Sequence, residues 1–133
     1  MEAKYELKSF GDERGQLIAI ENLKEIPFET KRVFYMFGMD QKSVRGQHAN
    51  RKSKFAFICL NGSCKICTFN GYTNEEYLLS KPNEILVIDN LIWKEMYDFS
   101  EDCRLIVLSD CLYDKNEYIY DKDEFIKEVV KNV

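Results

Sequence analysis

The chain has 133 residues, 45% of them apolar and 14% aromatic, which fits one packed domain spanning residues 1–133 and excludes a disordered chain. Its formal net charge of −4 gives no bulk reason to expect nucleic acid or an acidic membrane surface as a partner, and leaves room only for a local cationic pocket for a small anion. No apolar run approaches the roughly 20 residues of a membrane span. The N-terminal MEAKYELKSF has neither the apolar core nor the small-residue cleavage site of a signal peptide. Five cysteines, odd in number and irregularly spaced, fit reduced thiols, so a cytoplasmic location is expected.

Taken in order, most of the chain predicts short strands. QLIAIE carries β-branched residues after a turn at Gly15, and KRVFYMFG is aromatic and ends in glycine. KFAFICL runs into Asn61-Gly62, and the alternating CKICTF runs into Asn70-Gly71. Asn-Gly between two strand-like runs is a strong hairpin signal because both residues tolerate positive φ, so hairpins are expected at both places. EEYLLS meets a turn at Lys81-Pro82-Asn83, and EILVID, IWKEMYDF and CRLIVLSD follow at short, regular spacing. That rhythm predicts an all-β sandwich or barrel and not alternating β–α units. In the tail the period changes: in DKDEFIKEVVKNV, Phe125, Ile126, Val129 and Val130 share a helical face, and Asp121 followed by Glu124 resembles a capping box. One short C-terminal helix docking on a β domain is expected.

Metal chemistry finds little support. Small β-barrel metal sites draw on several histidines and carboxylates, and this chain has one histidine, His48. Cys64 and Cys67 form C-x-x-C with no second pair, and a strand would point them to opposite faces, so they read as core or surface thiols. His48 follows Gly46 and lies among Arg45, Arg51 and Lys52; neighbouring cations lower an imidazole pKa and leave it neutral, able to act as a base. The same cations suit a phosphate-bearing substrate, or form a solvated turn. Tyr35, in RVFYMF, reads first as a core or interface aromatic. In IWKEMY, alternation puts Trp93 and Glu95 on one face and Lys94 on the other. Facing a barrel interior Lys94 would be functional, and facing solvent it would be ordinary.

Against this background a run of motifs stands out. DERGQLIAIE resembles a D-x-R-G-x-L start, IPFETKRVFYMF resembles I-P-F-x-x-K-R-V-Y-Y, and RGQHAN resembles R-G-x-H-A-H. CLNGSCKI, the stretch LSKPNEILVIDNLIWKEMYDFSEDCRLIVLSD, and YDKNEYI continue the match in order. From about Leu7 to Phe125 the chain resembles the sugar 3,4-ketoisomerases that act on thymidine-diphosphate-linked 4-keto-6-deoxy sugars. The resemblance implies a cupin-type jelly roll and a homodimer, often with exchanged N-terminal strands. It implies no metal and no organic cofactor, and no nucleic-acid or membrane partner. The implied substrate is a dTDP-linked 4-keto-6-deoxy sugar, whose keto group moves from C4 to C3 through an enediol. The product would feed an aminotransferase that makes 3-amino sugars for surface glycans.

By the same resemblance His48 is the base and Tyr35 a donor to the enediol oxygens. Arg14, Arg32 and Arg45 are implied to bind the diphosphate or sugar, and Asn50 and Lys94 to contact the substrate. Four departures stand out. Asn50 replaces the second histidine of the motif and cannot titrate, but can hydrogen-bond the sugar or orient His48. A segment that carries Glu or Gln in the family reads KSKFAF, Lys94 stands where His or Arg is common, and Tyr120 replaces an arginine. Two other readings stay open at this point: a cupin epimerase of the nucleotide-sugar 3,5 type, which also enolises a ketosugar, or a relative that binds a nucleotide sugar without turning it over.

Overall fold

A computed structural model describes residues 2–133. These form two five-stranded antiparallel sheets, a separate two-stranded hairpin, a single 3-10 turn at Lys115–Glu117 and one α-helix. The first sheet has β1 (Glu2–Glu6), β9 (Glu84–Ile88), β6 (Phe55–Asn61), β11 (Arg104–Ser109) and β4 (Arg32–Phe37) in that spatial order. The second has β12 (Tyr118–Ile119), β5 (Arg45–Asn50), β10 (Trp93–Tyr97), β7 (Cys64–Phe69) and β8 (Asn74–Leu79). The hairpin pairs β2 (Phe10–Asp12) with β3 (Gly15–Leu17). The result is the expected all-β jelly roll of the cupin type with a short C-terminal helix. No helix among the described residues is long and apolar enough to cross a membrane.

The core lies between the sheets. Phe55, Phe57, Cys59, Leu86, Ile88, Leu105 and Val107 from the first sheet meet Cys64, Ile66, Leu79 and Met96 from the second. KFAFICL reads as a continuous apolar run because β6 is covered on both faces. Its other face presents Ala56 and Ile58 to a second cluster with Leu7, Ile26, Phe28, Ile85 and Val87.

Three expectations are modified. Strand pairing in QLIAIE stops at Leu17; Ile18 and Ile20 pack on the second cluster instead of joining a ladder. Asn70-Gly71 makes the expected hairpin, with Phe69 opposite Asn74, but Asn61-Gly62 does not. There the chain leaves one sheet for the other, since β6 and β7 share no ladder. Gly62, at φ +74°, supplies the tight reversal, and local turn chemistry does not decide which edge the next strand joins.

The third concerns α1 (Lys122–Lys131). Asp121 caps it by accepting from the N–H groups of Asp123 and Glu124. Phe125 and Val129 pack on Trp93, Ala49 and Ile119, but Val130, expected on this face, is exposed. Phe125 and Val129 are buried and Ile126 packs beside them partly buried, so the stripe is narrower than the pattern suggested, by Val130 alone. The Glu124 carboxylate reaches Arg51 at 3.2 Å instead of turning back to the cap.

Candidate active site

The pocket opens between the sheets and is lined by Phe34, Met36, Phe55 and Phe57 from the first sheet and by Arg45, His48, Lys94, Met96 and Tyr118 from the second. Its volume of about 140 Å³ is well below the roughly 300–1,000 Å³ of sites that enclose a drug-sized ligand. It can enclose the reacting part of a nucleotide sugar and not the whole. Two larger hollows, of about 500 and 530 Å³, lie on the outer face of the first sheet, against Ile18, Ile20 and Ile58 and against Tyr5 and Ile26. The second of these is also lined by Glu2, Lys24, Glu25 and Asp89, whereas the smaller pocket gathers Arg45, His48 and Lys94, three of the expected site residues.

A bulge aims the pocket's polar groups. Lys94 pairs with His48, but Glu95 pairs with Gly46 and Met96 with Arg45, so the register slips at Gln47. Gly46 and Gln47 both have positive φ, +87° and +58°. In a regular strand residues three apart face opposite sides; one extra residue brings Arg45 and His48 to the same side. Glycine is needed because a Cβ at position 46 would come 2.9 Å from the Lys94 carbonyl oxygen. Position 50 follows 48 by two, so Asn50 faces inward as well and is 1% exposed.

Lys94 is the inward residue of its strand, 3% exposed. Trp93 and Glu95 share the other face, where the indole N–H donates to the Glu95 carboxylate at 2.9 Å. The Lys94 ammonium donates to Asn50 Oδ1 at 2.9 Å and lies 4.3 Å from the centre of the Phe55 ring. Burial drives its pKa down to about 7; the Glu117 carboxylate opposes this and the Arg32 guanidinium adds to it. Burial also lowers the His48 pKa, to about 3, with the Lys94 ammonium pushing the same way and Asn50 and Glu117 opposing. His48 is therefore a neutral imidazole at physiological pH. Its ring packs edge-on against Tyr118, 4.9 Å between centroids, and Tyr120, 5.8 Å.

The cations expected to set the His48 pKa do not do so. Arg51 turns outward to Glu124 and Glu128 on α1, and Lys52 lies 3.8 Å from Asp114. Sequence neighbours at a strand end diverge; the effective cation, Lys94, comes from the adjacent strand.

His48, Asn50, Lys94, Arg45 and Arg32 converge. Arg32 lies on the inner face of β4, its guanidinium 5.1 Å from the Phe34 ring and 5.6 Å from that of Tyr113. Tyr35 and Arg14 do not join them within one chain. Alternation along β4 turns Tyr35 outward with Val33 and Phe37, and it is 68% exposed. Arg14 sits in the hairpin, paired with Asp12 at 2.7 Å. The sequence reading left out Phe55, Tyr118 and Glu117. Glu117 is 3% exposed and accepts from the Ser53 hydroxyl at 2.6 Å and from the Ser53 and Lys52 N–H groups at 2.9 and 3.1 Å. Burial would raise its pKa, but these hydrogen bonds outweigh it and hold the carboxyl below its ordinary range. Strand alternation in Tyr118-Ile119-Tyr120 is the signal that places both tyrosines on one side; nothing in the spacing marks Glu117.

Among the described residues, three buried polar side-chain atoms have no hydrogen-bond partner: Arg32 Nε, His48 Nδ1 and Asn50 Nδ2. All belong to this one cluster. Buried polar atoms are ordinarily satisfied, so a concentration of orphans marks a place built for a polar ligand. Within the jelly roll, the pocket sets a neutral imidazole beside a buried ammonium, an arrangement chemically able to move a proton on a small polar substrate.

Comparison with known proteins identifies the family. Residues 2–130 match the family described as FdtA: WxcM-like, C-terminal, and the chain belongs to that family. It is 41% identical over 124 residues to the TDP-4-oxo-6-deoxy-alpha-D-glucose-3,4-oxoisomerase of Aneurinibacillus thermoaerophilus, covering 93% of this chain and 89% of the relative. A 3,4-ketoisomerase from Helicobacter canadensis superposes with a TM-score of 0.94 at 40% identity over 97% of each chain. A histidine-to-asparagine mutant of the 3,4-ketoisomerase QdtA from Thermoanaerobacterium thermosaccharolyticum, in complex with TDP-4-keto-6-deoxyglucose, gives 0.94 at 38% identity over 98% of this chain and 94% of that one.

Proposed function

We infer that the protein is a sugar-nucleotide 3,4-ketoisomerase. It takes a thymidine-diphosphate-linked 4-keto-6-deoxyhexose and moves the carbonyl from C4 to C3. The observation that carries its assignment to this pocket is the pairing of His48 with Lys94 across neighbouring strands, beside the three unpartnered polar atoms. The reaction is a tautomerisation without net redox change. A base removes the C3 proton, the C4 carbonyl oxygen takes a proton, and an enediol forms. A proton then adds to C4 while the C3 hydroxyl loses its own, leaving the 3-keto sugar.

His48, neutral and with a free Nδ1, serves as the C3 base. Lys94 stabilises negative charge on the enediol oxygens and, with a pKa about 7, supplies a proton near neutral pH. This makes up for Asn50, which cannot titrate where the motif has its second histidine. Asn50 fixes the ammonium through Oδ1 and has Nδ2 left for a sugar oxygen. Arg32 and Arg45 are positioned for the sugar or the diphosphate, and anions bound there raise both pKa values in the complex.

The working unit is a homodimer. β4 is the edge strand of its sheet and exposes Val33, Tyr35 and Phe37, while the hairpin exposes Phe10 and Leu17. Such an edge is a liability in a monomer. A second copy seated there would cover Tyr35, and pairing of the DERG hairpin across a two-fold axis would give Arg14 a route to a neighbouring pocket. Sedimentation should show a dimer at micromolar concentration; a stable monomer contradicts this.

Incubation of purified protein with TDP-4-keto-6-deoxyglucose, coupled to a 3-aminotransferase, tests the activity. Formation of a 3-amino sugar supports it, and unchanged 4-keto sugar overturns it.

A further inference from the structure

Behind the pocket, at the other end of the barrel, three cysteines meet. Cys59 ends the inward row Phe55, Phe57, Cys59 of β6; Cys64 opens β7; Cys103 precedes β11. All three are buried, at 0%, 0% and 2% exposure. Their sulfur atoms lie within 4.8 Å of one another, and those of Cys59 and Cys103 are 3.7 Å apart. Metal–sulfur bonds of about 2.3 Å place three sulfurs on one ion at most about 4.0 Å apart. One edge, at 3.7 Å, already fits that size, and the others close on it with shifts of at most about 0.8 Å.

The surroundings select the kind of ion. Zinc in a structural site takes four ligands, and among the described residues the group contains only these three. A cuprous ion on three thiolates keeps a net charge of −2, which is costly among Ile66, Leu79, Phe99 and Leu105. A trivalent ion on three thiolates is neutral. We propose that Cys59, Cys64 and Cys103 form a three-sulfur binding site for a trivalent thiophilic species of the arsenite class.

Binding is a ligand exchange: arsenous acid and three thiols give one As(S–Cys)₃ unit and three waters. Three As–O bonds break and three As–S bonds form, with no change of oxidation state. Access runs between two loops that close this end. Ser63 N–H donates to Ser100 Oγ and Ser100 N–H to the Ser63 carbonyl, each at 2.9 Å, and Asn61 Nδ2 donates to the Asp102 carbonyl at 2.9 Å. These few contacts beside Cys59 and Cys103 can part without unpacking a sheet.

The test uses the intact protein, reduced and free of oxygen, with arsenite as the probe. Native mass spectrometry should show one arsenic per chain with loss of three protons, and the unfolding temperature should rise with arsenite concentration. The double variant Cys67→Ser/Cys111→Ser, which touches only the two partly exposed cysteines, should bind equally well and keep its isomerase activity. Cys103→Ala should weaken binding at least tenfold. No bound arsenic, loss of binding in the Cys67/Cys111 variant, equal binding by folded Cys103→Ala, or tighter binding of zinc than of arsenite would each overturn the site.

Discussion

The Lys94 ammonium donates to Asn50 Oδ1 at 2.9 Å inside the barrel, and among the described residues no carboxylate pairs with it directly. Moving a lysine pKa from 10.5 to about 7 corresponds to about 4–5 kcal/mol against the charged folded form near neutral pH. Lys94→Met removes that cost and leaves Asn50 Oδ1 unpaired, a loss of about 1–3 kcal/mol. The variant is therefore expected to be more stable than the parent by about 1–4 kcal/mol in denaturant unfolding and to lose most of its turnover. A less stable Lys94→Met protein would mean that the ammonium is held for structure.

His48→Asn should keep the fold, because the ring packs on Tyr118 and Tyr120 at the pocket wall and not in the main core cluster. Positioned proton transfer contributes about 10²–10⁴-fold, so kcat should fall by at least that range with KM nearly unchanged. Steady-state kinetics on the variant checks both numbers. A rate close to that of the parent would remove His48 from the base role.

The pH dependence follows from the two pKa values. His48 acts as a neutral base, so kcat/KM falls as pH drops through its folded pKa of about 3. Lys94 acts as a cation, so kcat/KM falls as pH rises through about 7. The free enzyme is expected to give a bell between these limits. A bound diphosphate raises both pKa values, so the kcat profile should lie at higher pH than that of kcat/KM. Lys94→Arg should remove the upper limb, since arginine stays protonated throughout.

Gly46→Ala attacks the bulge and not the chemistry. At φ +87°, with a Cβ that would come 2.9 Å from the Lys94 carbonyl, alanine forces the strand to move. A stability loss of about 1–3 kcal/mol is expected from the strained backbone. The misdirected His48 and Arg45 should cost activity beyond that. Unfolding curves measured beside kinetics separate the two effects.

The strand pattern, the C-terminal helix and its Asp121 cap were all legible from local periodicity and capping chemistry. Alternation correctly opposed Lys94 to Trp93 and Glu95. The misses share one cause: they depend on which strands become neighbours. Asn61-Gly62 specifies a reversal but not the sheet joined afterwards. The imidazole's partner is a cross-strand lysine, while the adjacent Arg51 and Lys52 face elsewhere. Tyr35 matched a motif, yet strand parity turns it to the outer surface of its own chain. Cys59, Cys64 and Cys103 come from three separate segments, and no spacing rule joins them.

The most direct measurement is NMR of the nucleotide sugar turned over in D₂O by the parent protein and by His48→Asn. The parent should yield a 3-keto sugar with deuterium at C4 and none at C5, because the returned proton comes from a group that exchanges with solvent, and the variant should yield almost none. Deuterium at C5 would make the protein an epimerase, and unlabelled, unconverted 4-keto sugar would make it a binding protein; either result contradicts a 3,4-ketoisomerase that uses His48 as its base.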